Sequence, residues 1–377
     1  MRRAPVDVIV RGEGEKTLVD VIHAIGAGAP LNEIPGITFR AGQQIVRNPD
    51  RSPLSQRELD GQALPLWDRV PEGVYCFFPV ELSRGCRYAC NFCSIYHKRN
   101  RRGYSWPVIR ERIDQGIKML PKFKYKTLMF SDDCFTSDPR TVKQVADYLS
   151  TVAPEIEVGI EARANEILHP EVIGSLGKMN VGFLQIGVER GYRDGLQRVG
   201  KGIKLSQVIQ TTQKLHSLGI AKKVKYSYII GFPWETLADM KRTIAFAMHL
   251  ASDLGNMVQI NWYMLSPGNE VFRELYGRKL VFLYDFDSWN EHDHSLFFRS
   301  HPTLSLEMYN EIREFAGHLE RTYPWVSVLG NVFKSSDHPH LATDITIPGP
   351  QIPYWTGRWP IFEPSSSALG CLGEKLM

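Results

Sequence analysis

The sequence predicts an α/β fold: a partial, TIM-like (β/α)6 barrel between a small N-terminal unit and a mixed C-terminal extension. Three observations predict it. Six short apolar runs alternate with helical patterns between residues 76 and 270. Several of these runs, SYIIG and FLQIGV among them, are apolar on both faces, as in parallel strands covered on both sides. Polar residues gather at the carboxyl ends of the runs, where (β/α) barrels place their working groups.

The strands are expected at Phe77–Leu82, Thr127–Ser131, Ile156–Glu161, Gly182–Val188, Val224–Ile230 and Val258–Met264, with helices at 107–120, 139–151, 169–179, 205–218 and 236–251. Asp138-Pro139 supplies a cap and an N1 proline for one helix, and Gly219 a C-terminal stop for another. Before the barrel, residues 6–28 read as a strand, a GEGE turn and a helix, and Ile34–Val46 as a hairpin around Ala41-Gly42. Residues 1–46 therefore form the N-terminal unit, 47–75 a linker wrapping the barrel, 76–270 the barrel and 271–377 the extension. A helix is expected near 305–321. The tail DITIPGPQIPYWTGRWPIFEP, with Tyr354, Trp355 and Trp359, is expected to pack as an extended segment.

Composition narrows the function classes. Of 377 residues, 43% are apolar and 23% charged, which suits a packed globular chain. No apolar run approaches the roughly 18–20 residues of a membrane span. MRRAPVDVIVRGEGE does not read as a signal peptide, and six irregularly spaced cysteines do not read as a disulfide framework. A reducing cytoplasm is expected. The basic residues Arg84, Arg87, His97, Lys98, Arg99, Arg101 and Arg102 read as a solvated loop, the alternative being a surface for an anionic substrate or nucleic acid.

Cys86, Cys90 and Cys93 form CxxxCxxC on the loop after the first strand. Structural zinc takes four ligands, and His97 would complete a Cys3His set. Thiolates also hold iron–sulfur clusters, whose four iron corners need four ligands. Three cysteines leave one corner open to a substrate or cofactor.

CxxxCxxC with an aromatic residue before the last cysteine, ending the first strand of a partial barrel, resembles the radical S-adenosylmethionine (radical SAM) superfamily. The resemblance implies a 4Fe–4S cluster on these cysteines, SAM on the open iron, and a 5′-deoxyadenosyl radical after reductive cleavage. It also implies site residues. Ser131-Asp132-Asp133 stands where the family meets the SAM amino group, with Asp132 or Asp133 facing inward. Glu161 and Arg163, in EARAN, fall at the next strand end, Arg163 to pair with the SAM carboxylate. Glu189 matches the ribose position, Ile229 and Gly231 the segment whose backbone meets adenine, and Phe92 would flank the adenine. Each has a bland alternative. The aspartates serve as turn and cap residues, Glu161 pairs with Arg163, Glu189 pairs with Arg190 or Arg193, and GFPWET is a turn capped by Thr236.

VDVIVRGEGEKTLVDVIHAI, IPGITFR and the hairpin are similar to the close of the Rossmann-like cobalamin-binding domain in the cobalamin-dependent radical SAM class. The N-terminal unit then reads as a remnant of that domain, and cobalamin is expected only with a missing or separate N-terminal domain that carries a DxHxxG loop. His216 to Gly219 is an HxxG inside a barrel helix, with Lys214 in place of the Asp, and reads as structural. Cys134 and Tyr263 are the catalytic candidates, a packed free thiol being the alternative for Cys134. Cys76 and Cys371 read as structural, and His292, Asp293 and His294 as a solvated loop rather than a second metal site. The expected reaction is C-methylation, oxidative cyclisation or rearrangement of a small-molecule or lipid-like substrate, with an electron donor such as flavodoxin or ferredoxin. A tRNA-modifying radical SAM enzyme and a non-enzymatic zinc-dependent nucleic-acid-binding protein are the alternatives. Nucleic acid is not the expected partner.

Overall fold

The structure, a computed structural model, describes residues 5–254, 256–263, 268–277 and 326–328, and residues 305, 307–308, 310–314 and 319. β1 (Val8–Val10) leads through the GEGE turn to α1 (Glu15–Gly26), and β2 (Ile37–Ala41) and β3 (Gln44–Arg47) form the hairpin. β1 pairs antiparallel with β2, giving the order β1-β2-β3. Ile37 and Phe39 of β2 pack with Val21 of α1 and Ile34 into a small core of their own. The hairpin thus covers one side of β1. The outer face of α1 carries Leu18, Val19, Ile22 and Ile25, all exposed. The segment 47–75 contains α2 (Gln56–Asp60), started by a Ser55–Glu58 capping box. Leu54 and Leu59 anchor it in the main core.

The barrel follows. β4 (Phe78–Val80) runs into a short ribbon, β5 (Ser83–Arg84) with β6 (Arg102–Gly103), whose ends bracket the cysteine loop. Then come α3 (Trp106–Met119), β7 (Thr127–Phe130), α4 (Pro139–Val152), β8 (Glu157–Ala162), α5 (Ala164–Ile167) and α6 (Pro170–Leu176). β9 (Val181–Glu189), α7 (Arg193–Arg198), α8 (Leu205–Ser217), β10 (Val224–Ile230), α9 (Leu237–Leu254), β11 (Met257–Trp262) and α10 (Glu270–Gly277) continue the pattern. β4, β7, β8, β9, β10 and β11 are parallel neighbours in that order, the open sheet of a partial (β/α)6 barrel. β12 (Val326–Val328) adds a parallel strand beyond β11 that sequence alone did not suggest.

Local signals explain the boundaries. Asp138 accepts a hydrogen bond from the Arg140 N–H and Pro139 opens α4. Gly219, at φ +75°, follows α8. The helix expected at 169–179 is α6, which Pro170 starts, and the short α5 before it is a separate turn because Pro170 cannot continue a helix from it.

The expectation that both sheet faces are covered needs correction. Along β10, Val224, Tyr226, Tyr228 and Ile230 are buried, while Lys225, Ser227 and Ile229 are only partly so. The Tyr226 hydroxyl meets Thr212 of α8 at 2.6 Å, so the buried face is the one under the helices. β11 alternates in the same way. The other face is the concave interior of the barrel, and it is polar because it remains open. No described helix is long and apolar enough to cross a membrane. Of the helix expected near 305–321, residues 307–308, 310–314 and 319 are described and helical; His292, Asp293, His294, Tyr354, Trp355, Trp359 and Cys371 lie outside the described residues.

Candidate active site at the barrel mouth

The cysteine loop is held at both ends and in its middle. Gly85 has φ +78°, and a Cβ there would stand 2.4 Å from the Asn100 carbonyl and 2.8 Å from that of His97, so only glycine fits. Cys86 N–H donates to the His97 carbonyl at 3.1 Å, and Asn91 N–H to the Val199 carbonyl at 3.1 Å. Lys98 Nζ reaches the Cys90 carbonyl at 2.8 Å. Cys86, Cys90 and Cys93 are free thiols. The Tyr88 and Ile95 N–H groups each point at a sulfur, Cys86 Sγ and Cys93 Sγ, at 3.5 Å. Burial pushes the Cys86 and Cys93 thiols up, partly offset at Cys86 by the Tyr88 N–H and the Arg163 charge, and at Cys93 by the Ile95 N–H and the Lys98 charge.

Arg163 was expected to pair with a ligand carboxylate. It is buried instead, its guanidinium 3.6 Å from the centre of the Tyr88 ring. It donates to the Lys201 carbonyl and lies 3.8 Å from Cys90 Sγ. Its cation therefore serves the cysteine loop. Tyr88 in turn donates to Glu166 at 2.7 Å. The same carboxylate receives Thr136 at 2.7 Å and the Cys134 thiol at 2.9 Å. Cys134 is thus turned into the core, and burial raises its thiol to about 12. A buried, protonated thiol held by a carboxylate is not placed to touch substrate, which overturns the catalytic expectation for it.

The Asp pair divides. Asp132 is buried and accepts from Leu82 N–H at 3.1 Å and from the Ser83 hydroxyl. Burial raises its carboxyl to about 6 against those hydrogen bonds. It ties the end of β7 to the start of the cysteine loop and does not face a ligand, contrary to expectation. Asp133 is exposed and accepts from the Gly85 N–H. Its charge is felt by both Cys86 and Glu161, which puts it at the mouth.

Glu189 sits at φ +72°, at a break in register where Ser227 pairs with Gly187 but Tyr228 pairs with Glu189. Such strain in a non-glycine residue marks a position fixed by its surroundings. Its partner is Lys201, at 2.8 Å, not the anticipated Arg190 or Arg193. A Cβ on Gly187 would lie 2.5 Å from Glu189 Oε1 and 2.9 Å from Lys201 Nζ, so the glycine clears the space for this pair. Glu161 is exposed toward the interior and accepts from Gln185 at 3.2 Å; it does not pair with Arg163. Ile229 gives its carbonyl to Arg190 at 2.6 Å, and Gly231 turns the chain at φ +80°. Phe92 meets Phe232 edge to face at 5.7 Å. Tyr263 is buried and stacked on Phe232 at 4.5 Å, which corrects its placement as a cavity-lining catalytic residue.

Four of the seven basic residues around the cysteines, Arg84, His97, Arg101 and Arg102, face a carboxylate, whereas Arg87, Lys98 and Arg99 pair with none among the described residues. Arg102 makes a two-pronged contact with Glu13 at 2.8 and 2.9 Å, Arg84 reaches Glu15 and Glu81, and His97 lies 3.7 Å from Glu13. The GEGE turn is thus an ionic staple between the N-terminal unit and the cysteine loop. Burial works to raise the Glu13 carboxyl, but the Arg102 and Leu54 hydrogen bonds and the Arg102 and His97 charges outweigh it and hold it low. A depressed carboxyl stabilises the fold above its unfolded pKa and loses that contribution as pH falls through the folded value. Glu13→Gln is expected to cost about 2 kcal/mol at neutral pH. The gap from wild type should close on acidification below pH ~4, as measured by urea midpoints across pH.

These residues can be tested against a cluster. A single zinc ion holds its thiolates about 3.8 Å apart, given Zn–S bonds of about 2.3 Å. Among the described residues no three His, Cys, Asp or Glu side chains are gathered closely enough to hold a metal ion. A larger cluster spreads its thiolates further, and free thiols with N–H donors and a buried cation beside them suit its negative charge. Among the described residues neither HxxG stretch has the form of a DxHxxG loop. His216 lies inside α8, and His23, whose HxxG (His23–Gly26) is easily missed, lies inside α1 with Val21 where an Asp would stand.

Residues 80–247 match the family described as the Radical SAM superfamily. The matched stretch runs from the end of β4 into α9 and contains the cysteine loop. Relatives include an uncharacterized methyltransferase of Pyrococcus horikoshii, 28% identical over 74% of this chain and 61% of that protein. The anaerobic magnesium-protoporphyrin IX monomethyl ester cyclase of Rubrivivax gelatinosus is 25% identical over 77% of this chain and 52% of its own length. The chain thus spans little more than half the length of these relatives. Its fold resembles that of TsrM, a radical SAM methyltransferase from Kitasatospora setae solved with cobalamin and a [4Fe–4S] cluster. The TM-score is 0.57, at 14% identity over 72% of this chain and 54% of that one.

Proposed function

We propose that this protein is a radical SAM enzyme that cleaves SAM reductively and starts radical chemistry on a small substrate held inside the barrel. The observation that carries this is the placement of three free, hydrogen-bonded thiols on one pinned loop beside the mouth of the barrel. When bound, a 4Fe–4S cluster on Cys86, Cys90 and Cys93 supplies the electron that breaks the SAM carbon–sulfur bond. The chain's own residues bind and orient. Arg163 keeps a positive charge against Cys90 and favours an anionic loop. Asp133 offers a carboxylate for an ammonium group, and the Glu189–Lys201 pair offers an acceptor for ribose hydroxyls. Gly231 allows close approach of a flat base, with Phe92 at its edge.

Methyl transfer and cyclisation both accord with the names of the relatives. A flavodoxin- or ferredoxin-like reductant would supply the electron. The test is anaerobic reconstitution with iron and sulfide, followed by measurement of 5′-deoxyadenosine from SAM with a chemical reductant. A brown protein that forms the nucleoside is expected. A colourless protein holding one zinc ion would overturn the reading.

A further inference from the structure

The concave face of the barrel carries a ring of polar side chains that the cofactor reading does not use. Register places Glu161 of β8, Gln185 of β9 and Lys225 of β10 side by side. One step further along, Ser227 of β10 lies opposite Gln259 of β11, and Asn261 follows on the same face. Contacts bear this out: Gln185 donates to Glu161 at 3.2 Å, Gln259 to Asn261 at 3.2 Å, and Asn261 reaches Ser227 at 3.5 Å. All of these but Glu161 are only partly exposed.

Lys225 is the odd member. Its ammonium lies 5.1 Å from the centre of the Phe183 ring. Glu161 stands two strands away, about 9.6 Å at the backbone. Glu161 attracts Lys225 without forming an ion pair, and among the described residues Lys225 donates no hydrogen bond. Glu161 already accepts from Gln185 and faces the like charges of Asp133 and Glu189. Glu161 thus keeps a hydrogen bond, whereas the Lys225 ammonium keeps none among the described residues. Filling such a ring with hydrocarbon would strand a buried cation and leave several amides without partners, which is unfavourable. An anion on Lys225, with carboxamides on either side, satisfies them.

We propose that the barrel interior takes a polar substrate through an anionic group, carboxylate or phosphate, seated on Lys225 and flanked by Gln185, Ser227 and Gln259. This narrows the substrate class from small-molecule or lipid-like to polar anion, and it rests on the reading that the mouth of the same barrel holds SAM.

Thermal unfolding of the full chain, purified without iron, sulfide or SAM, tests it. Inorganic phosphate and succinate are added separately against chloride at matched ionic strength, with n-decanol as the lipid-like probe. At least one anion should raise the wild-type Tm by about 3 °C near saturation. Lys225→Arg should keep that rise and Lys225→Met should lose it. If Lys225→Met does not fold, Lys225→Gln, which keeps a polar end, takes its place with the same expectation. A response to phosphate alone or succinate alone identifies the group and supports the site. No rise with either anion, an equal rise in the uncharged variant, or a larger rise with decanol overturns the inference. Because no cluster or SAM is present, failure here is distinct from failure to cleave SAM.

Discussion

Replacing Cys86, Cys90 or Cys93 singly with alanine is expected to reduce 5′-deoxyadenosine formation to background and to lower the iron bound after reconstitution. The loss should be near total for each, because three thiolates already leave one iron corner to the cofactor. Removing another leaves a second corner without a protein ligand. Cys76→Ala is the control: this thiol is exposed and separate from the loop, so iron content and product should be unchanged. His97→Ala separates the cluster from a zinc site. Its imidazole lies near Glu13, so the variant should keep its iron and its SAM cleavage, whereas a Cys3His site would lose its metal. Full product formation in any one of the three cysteine variants would contradict the ligand assignment.

The sequence exposed the barrel well because its signals are local. Val224–Ile230 is a strand over the residues expected, and α4 begins at the proline that was expected to begin it. The polar interior was legible too, but only in a longer window. SYIIG alone reads as apolar on both faces, whereas VKYSYII alternates, with Lys225 and Ser227 on one face. What could not be read were partners distant in the chain. Glu13 meets Arg102 across 89 residues and Asp132 meets Leu82 across 50, so neither the staple nor the inward Asp has a local signature. Likewise, EARAN placed an arginine at the right strand end, but which way it pointed depended on Tyr88 in the cysteine loop. Side-chain direction at a barrel mouth is settled by tertiary packing. Strand position alone left Cys134 and Tyr263 looking available when both are buried.

Arg190→Met is expected to destabilise the protein by about 3–5 kcal/mol, the largest stability effect of any substitution considered. Arg190 and Glu235 form an ion pair with no exposed side-chain surface. The pair fixes both sides of the turn at Gly231. Arg190 donates to the Ile229 carbonyl at 2.6 Å, and Glu235 accepts from the Phe232 N–H at 2.8 Å. Arg190 also donates to the Tyr192 hydroxyl at 2.9 Å. Removing the arginine strands a buried carboxylate, and that stranded charge accounts for most of the loss. The double variant Arg190→Met, Glu235→Met leaves backbone groups unpaired but no charge, so it should recover about 1–2 kcal/mol relative to the single variant. Denaturant midpoints of wild type, both single variants and the double variant give the coupling. Because the turn at Gly231 is the segment proposed to meet adenine, the KM for SAM should rise in Arg190→Lys, which keeps the charge but loses the fork that grips Ile229 and Tyr192 together. An Arg190→Met variant as stable as wild type would mean that the pair contributes nothing to the turn. A double variant less stable than the single one would mean that the backbone contacts, not the charges, hold it.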